Sequence, residues 1–155
     1  MFVKFRGNMK YVFALMDDET RFWIAKQVTD EKFTADVRPL FVEAKKVAGK
    51  KPMTLITDGG MHFIKPFKRE FYTAKYPRTQ HIRDIRFDGT VHNNKMERIN
   101  GETRDREKTI RGLKRTDTPI LTGYQLFHNY VRPHDSLNGA TPAEKCGIKI
   151  EGENK

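Results

Sequence analysis

Chemistry in this sequence is concentrated in the stretch HNNKMERINGETRDREKTIR, residues 92–111. Steps of four, three, four and three from Glu97 reach Gly101, Arg104, Lys108 and Arg111. At about 100° per residue, those five positions fall in one narrow stripe of a helix. A second carboxylate, Asp58, ends the apolar run MTLIT and is followed by Gly59 and Gly60. An acid directly after a buried strand occupies the crevice position of an open α/β sheet. Carboxylates on two rigid elements can together hold Mg²⁺ or Mn²⁺, and two such ions can activate an attacking oxygen and stabilise a leaving one. Arg104, Lys108 and Arg111 would then face phosphates, with Arg98 offset from the stripe, and Gly101 would admit a sugar-phosphate backbone. A plainer reading stays open. The stripe may be read as a solvated face whose exposed pairs contribute only about 0.2–0.5 kcal/mol each, and Asp58 as a turn former ahead of two glycines.

These residues need elements to hold them. MFVKFRG alternates like a strand, Gly7-Asn8 reads as a turn, and KYVFALM and RFWIAKQV supply two further strands around the turn DDET. Two successive hairpins predict an antiparallel meander. From Thr34 to Ala48 the apolar residues Val37, Leu40, Phe41, Ala44, Val47 and Ala48 line one side of a helix, which Gly49 can end. That helix makes the crossover to MTLIT, expected as a buried parallel strand. A helix started or interrupted near Pro66 and a short strand within 80–87 follow. Asn93 or Asn94 caps the helix carrying Glu97, which should run to about Gly112 and pack Met96, Ile99, Thr103, Ile110 and Leu113 against the sheet. Thr118-Pro119 opens a helix over 120–131, and Thr141-Pro142 a last short one. With no repeat or linker, residues 1–155 read as a single α/β domain.

Bulk properties narrow the partners. The chain has 155 residues, 30 Lys plus Arg against 20 Asp plus Glu, a net charge of +10, and 37% hydrophobic residues including eleven Phe and five Tyr. That suffices for a core, and the positive field favours a polyanion, most often nucleic acid. The lone Cys146 excludes an internal disulfide and a cysteine zinc cluster, and fits a reducing compartment. No apolar run approaches the roughly 20 residues that span a bilayer, so the expected location is cytoplasmic, with no membrane partner. His62, His81, His92, His128 and His134 lack metal-ligand spacing and read as hydrogen-bonding or solvent residues. Trp23 reads as core.

The stretches KYVFALMDDETRFWIA, TLITDGG, HNNKMERINGETRDREKTIRG and NYVRPHDSLNGATPAEKCGI, in this order, resemble the catalytic domain of DDE transposases of bacterial and archaeal insertion sequences. The resemblance implies a retroviral-integrase-like core with a ribonuclease-H-like mixed sheet: three antiparallel strands, parallel crossover strands and flanking helices. It implies divalent-metal-dependent cleavage and transfer of DNA strands, with transposon ends and target DNA as partners. Asp58 matches the second metal-binding acid and Glu97 the third. The first acid belongs ahead of FVKFRG, so the chain is expected to lack the start of its first strand and to be inactive alone. Asp17 and Asp18 match a non-catalytic turn, in which an Asp hydrogen-bonds the local backbone. Arg132 and His134 of RPHDSL would either fix the tail or touch DNA. By analogy the chain may pair with itself or with an intact transposase. The other reading is a nonenzymatic DNA-binding or interaction remnant.

Overall fold

The computed structural model describes residues 1–5, 8–83, 94–109 and 119–149. Strands β1 (Phe2–Phe5), β2 (Asn8–Met16) and β3 (Trp23–Thr29) form an antiparallel sheet in the order β1-β2-β3. The turn between β2 and β3 is built by Asp17, whose carboxylate accepts from the Thr20 N–H at 2.8 Å and the Thr20 hydroxyl at 2.7 Å. This is the local backbone role the sequence assigns to it. Asp18 instead meets Lys95, whose ammonium donates to its carboxylate at 2.7 Å.

One irregularity decides how the sheet faces are used. Leu15 pairs with Ala25 but Met16 with Trp23, so Ile24 is an extra residue in β3. A bulge of this kind breaks the two-residue alternation. Trp23 and Ala25, two apart, consequently enter different cores. Trp23 packs with Val3, Val12, Ile99, Leu121 and Tyr124. Ala25 packs on the other side with Val37, Leu40, Phe41, Leu55, Phe67 and Phe71. Helix α1 (Thr34–Ala48) lies on the Ala25 side with α2 (Ile64–Glu70), while α3 (Asn94–Thr109) and α4 (Pro119–Leu126) cover the Trp23 side.

Helix α1 forms where the apolar spacing puts it. Its first turn is closed by Asp36, whose carboxylate accepts from the Phe33 N–H at 2.8 Å, and Gly49 ends it at φ 64°. Pro39 lies inside the helix without ending it. A 3₁₀ turn at Met61–Phe63 runs into α2, with Pro66 in the first turn, where its missing N–H costs no helical bond. Strand β4 (Thr54–Ile56) pairs in parallel with β5 (Gln80–Ile82). The expected helix over 120–131 is α up to Leu126 and then a π-helical turn, Phe127–Val131. Helix α5 (Pro142–Lys145) starts at Thr141, whose hydroxyl accepts from the Glu144 N–H at 3.3 Å.

The strands expected in one mixed sheet are seen in two parts. Among the described residues, the antiparallel meander and the parallel pair are separate sheets, with no ladder between β1 and β4. Ile110 and Leu113, expected to pack against the sheet, lie outside the described residues, as do Asn93 and His92; Ile99 and Thr103 are buried as expected.

Glu70 is a buried acid with no warning in the sequence pattern. Its carboxylate accepts from Arg38 Nε at 2.9 Å and Lys45 Nζ at 2.8 Å, tying α2 to α1. Those hydrogen bonds hold its pKa below the ordinary glutamate value. Because the folded value is lowered, the stabilisation is complete above the unfolded glutamate range and is lost as pH falls through the folded value. Both cations are partly exposed, so solvent screens the pair. Glu70→Gln should cost about 1 kcal/mol near neutral pH, measured by urea denaturation, and the gap to the wild type should close in acid.

Candidate metal and DNA-phosphate site

Asp58 is exposed, but the chain on either side of it is pinned. Thr57 is buried, donates its N–H to the Ile82 carbonyl at 3.0 Å, and its hydroxyl lies 3.0 Å from His81 Nε2. Beyond Asp58, Gly59 adopts φ 81°, and a Cβ there would lie 2.8 Å from the Arg83 carbonyl oxygen. Only glycine fits without displacing backbone. Gly60 then returns its N–H to Asp58 Oδ1 at 3.1 Å. The two glycines thus form a tight turn that fixes the carboxylate at the end of β4. Such order is more than a flexible tether would supply.

Glu97 is exposed in the first turn of α3, and Arg104 and Lys108 are exposed further along it. Lys108 leans on Asp105, 3.3 Å away. Arg111 lies outside the described residues. The start of β1 links the two halves of the site. Met1's amine donates to the Val12 carbonyl at 3.0 Å. Burial, the positive charge of Arg104 and that of Lys32 lower its pKa, against an opposing pull from Asp58. The charges of Asp58 and Arg104 are thus both felt at the start of β1. His62 stands nearby: burial lowers its pKa, with Asp58 raising and Lys32 lowering it.

Arg98 goes elsewhere. At about 100° per residue, Lys95, Arg98 and Glu102 share a face roughly opposite the Glu97–Arg104–Lys108 stripe. Glu102 is the centre of that second face, and sequence reasoning missed it. It accepts from the Tyr124 hydroxyl at 2.7 Å, pairs closely with Arg132, and lies 3.8 Å from Arg98. Burial and the adjacent carboxylate push the Tyr124 pKa well up, so it stays a donor. Burial raises the Glu102 pKa, but the hydrogen bonds from Tyr124 and Arg132 and the charges of Arg132 and Arg98 outweigh it, leaving a net lowering. Glu102 falls in the pattern E-x-x-x-x-E with Glu97, yet nothing in a single sequence says which acid turns inward.

A family model described as a DDE domain, that of IS240 transposases, matches residues 1–134. The chain belongs to this DDE transposase family. The match runs from β1 to His134 and includes Asp58, Glu97, Arg98, Arg104, Lys108 and Arg111. Membership in the DDE family implies a transposition domain whose substrate is DNA. Comparison with curated proteins gave no match. Among the described residues, no group of three or more His, Cys, Asp or Glu side chains is placed to hold a metal ion, and no helix is long and apolar enough to cross a membrane.

The glycine turn generates a prediction. Gly59→Ala should destabilise the protein by about 1–2 kcal/mol, from the left-handed backbone and the carbonyl contact together. Gly49→Ala has the same sign of φ but open space around it, so thermal melts of both variants should show the larger loss at Gly59.

Proposed function

We propose that this chain is the catalytic core of a DDE transposase, a single domain over residues 1–155 with a ribonuclease-H-like arrangement, in which Asp58 and Glu97 bind the divalent ion. The observation that carries this reading is the glycine turn that holds the exposed Asp58 carboxylate at the end of β4. Both carboxylates are exposed hard oxygen donors, the chemistry that Mg²⁺ or Mn²⁺ prefers. Asp58 spends one oxygen on Gly60 and keeps the other for a ligand. When bound, the ion would neutralise charge on the phosphoryl oxygens and activate the attacking one.

The chain's own residues carry the rest of the work. Arg104, Lys108 and Arg111 hold the phosphates of transposon-end or target DNA along one edge of α3, and Gly101 lets the backbone approach. In-line attack at a phosphodiester depends on such positioning. On this reading the domain acts on DNA in the cytoplasm, with an intact transposase or a second copy of this chain as protein partner.

Isothermal titration with Mn²⁺ should give measurable heat for the wild type and none for Glu97→Gln; equal heats would remove the metal assignment. Duplex DNA binding by the double variant Arg104→Ala, Lys108→Ala should weaken for every sequence. Each lost phosphate contact should lower the slope of log affinity against log salt by about one unit. An unchanged slope would exclude this edge as the docking face.

A further inference from the structure

On the face of α3 opposite the Glu97 stripe, a cavity of about 220 Å³ opens among α3, the β2–β3 turn and the segment after the π-helical turn. Its charged walls are Arg21, Lys95, Arg98 and Arg132 against Glu102 and Asp135. Lys95 is bound to Asp18, and Arg132 to Glu102. Arg98 has only its 3.8 Å approach to Glu102, and Arg21 makes no ion pair among the described residues. Two guanidinium groups are thus left with donors to spare.

Two histidines stand in the same wall, their rings 4.8 Å apart. His128 is 2% exposed, and its Nε2 bonds the Arg21 carbonyl at 2.9 Å, which leaves Nδ1 buried without a partner. His134 leaves Nε2 buried without a partner. The His128 ring nitrogen that faces a carbonyl must carry the proton, so in its neutral ring the orphan Nδ1 is an acceptor. Leaving buried polar atoms unpaired costs stability, and each needs a reason. Burial, reinforced by His128, Arg132 and Arg21, lowers the His134 pKa from the ordinary histidine value.

We propose that this cavity seats a DNA phosphate between Arg21 and Arg98 and that His134 gains a proton at Nε2 as the phosphate enters. A phosphodiester offers only acceptors, so it can satisfy Nε2 only when that nitrogen is protonated. The proton comes from solvent, and the phosphate's negative charge offsets the surrounding cations that disfavour imidazolium. No covalent bond changes. The inference rests on the reading of the chain as a DNA-acting domain but not on Asp58 or Glu97, neither of which lines the cavity.

The test is fluorescence anisotropy of a labelled short DNA duplex with the full chain, in EDTA, from about pH 8 to about pH 6, the range in which histidine titrates. Wild-type affinity should rise as pH falls, approaching about tenfold per pH unit for one linked proton. His134→Asn keeps a polar side chain and removes the titrating ring with its Nε2, so its affinity should change less steeply with pH. Equal pH slopes for the two would overturn the proposal. Should the His134 variant fail to fold by circular dichroism, Arg21→Gln decides: a several-fold loss of affinity supports the cavity, and unchanged affinity overturns it. Because divalent metal is absent, failure here leaves the carboxylate assignment standing, and failure of the Mn²⁺ titration leaves this one standing.

Discussion

A side-chain amide holds the two parts of this molecule together. Trp23 opens β3, where the bulge at Ile24 interrupts regular pairing with β2. Its backbone N–H donates to Asn129 Oδ1 at 2.8 Å, and its carbonyl accepts from Asn129 Nδ2 at 3.0 Å and from Gln125 Nε2 at 2.8 Å. Asn129 is 2% exposed. An amide is the one side-chain group that can answer a peptide's donor and acceptor at once, as a neighbouring strand would. Buried backbone groups must be paired somewhere, and here the pairing fastens the C-terminal helices to the sheet. Trp23 itself fills the core between α3 and α4, so the clasp also fixes where α3 lies.

Helix α3 divides its circumference three ways. Ile99 and Thr103 are buried, and the Thr103 hydroxyl turns back to the Ile99 carbonyl at 2.8 Å so that its polarity costs nothing inside. To one side run Glu97, Arg104 and Lys108; to the other Lys95, Arg98 and Glu102. A helix with mean composition this polar is held by its contacts more than by its own propensity. Gly101 sits in its middle with open space where a Cβ would be. Local packing therefore gives no reason for glycine there.

Much of this arrangement was readable from spacing. The hairpins, α1 with its glycine end, the strand ahead of Asp58 and the helix carrying Glu97 all follow from local periodicity and turn residues. How the two sheets relate was not legible, because pairing between β1 and β4 would be a long-range matter that alternation within each strand does not encode. Glu70, Glu102 and Asn129 were illegible for a different reason. Each is a wholly or partly buried polar residue with hydrogen-bond partners 22 to 106 positions away, and nothing beside it in the chain announces those partners. RPHDSL stood out as a motif, and its two possible roles meet in Arg132, which ties the tail to Glu102, and His134, which faces the cavity.

The π-helical turn at Phe127–Val131 has a consequence for how the protein can vary. The Arg132 N–H reaches back five residues to the Phe127 carbonyl at 2.9 Å, one more than an α-helix spans. The widened turn lets the consecutive residues His128 and Asn129 both point inward. Removing a single residue here would restore an ordinary helix and swing everything after it by about 100°. The chain should accept changes of length at its exposed turns far more readily than in these five residues, where spacing itself is what selection would preserve.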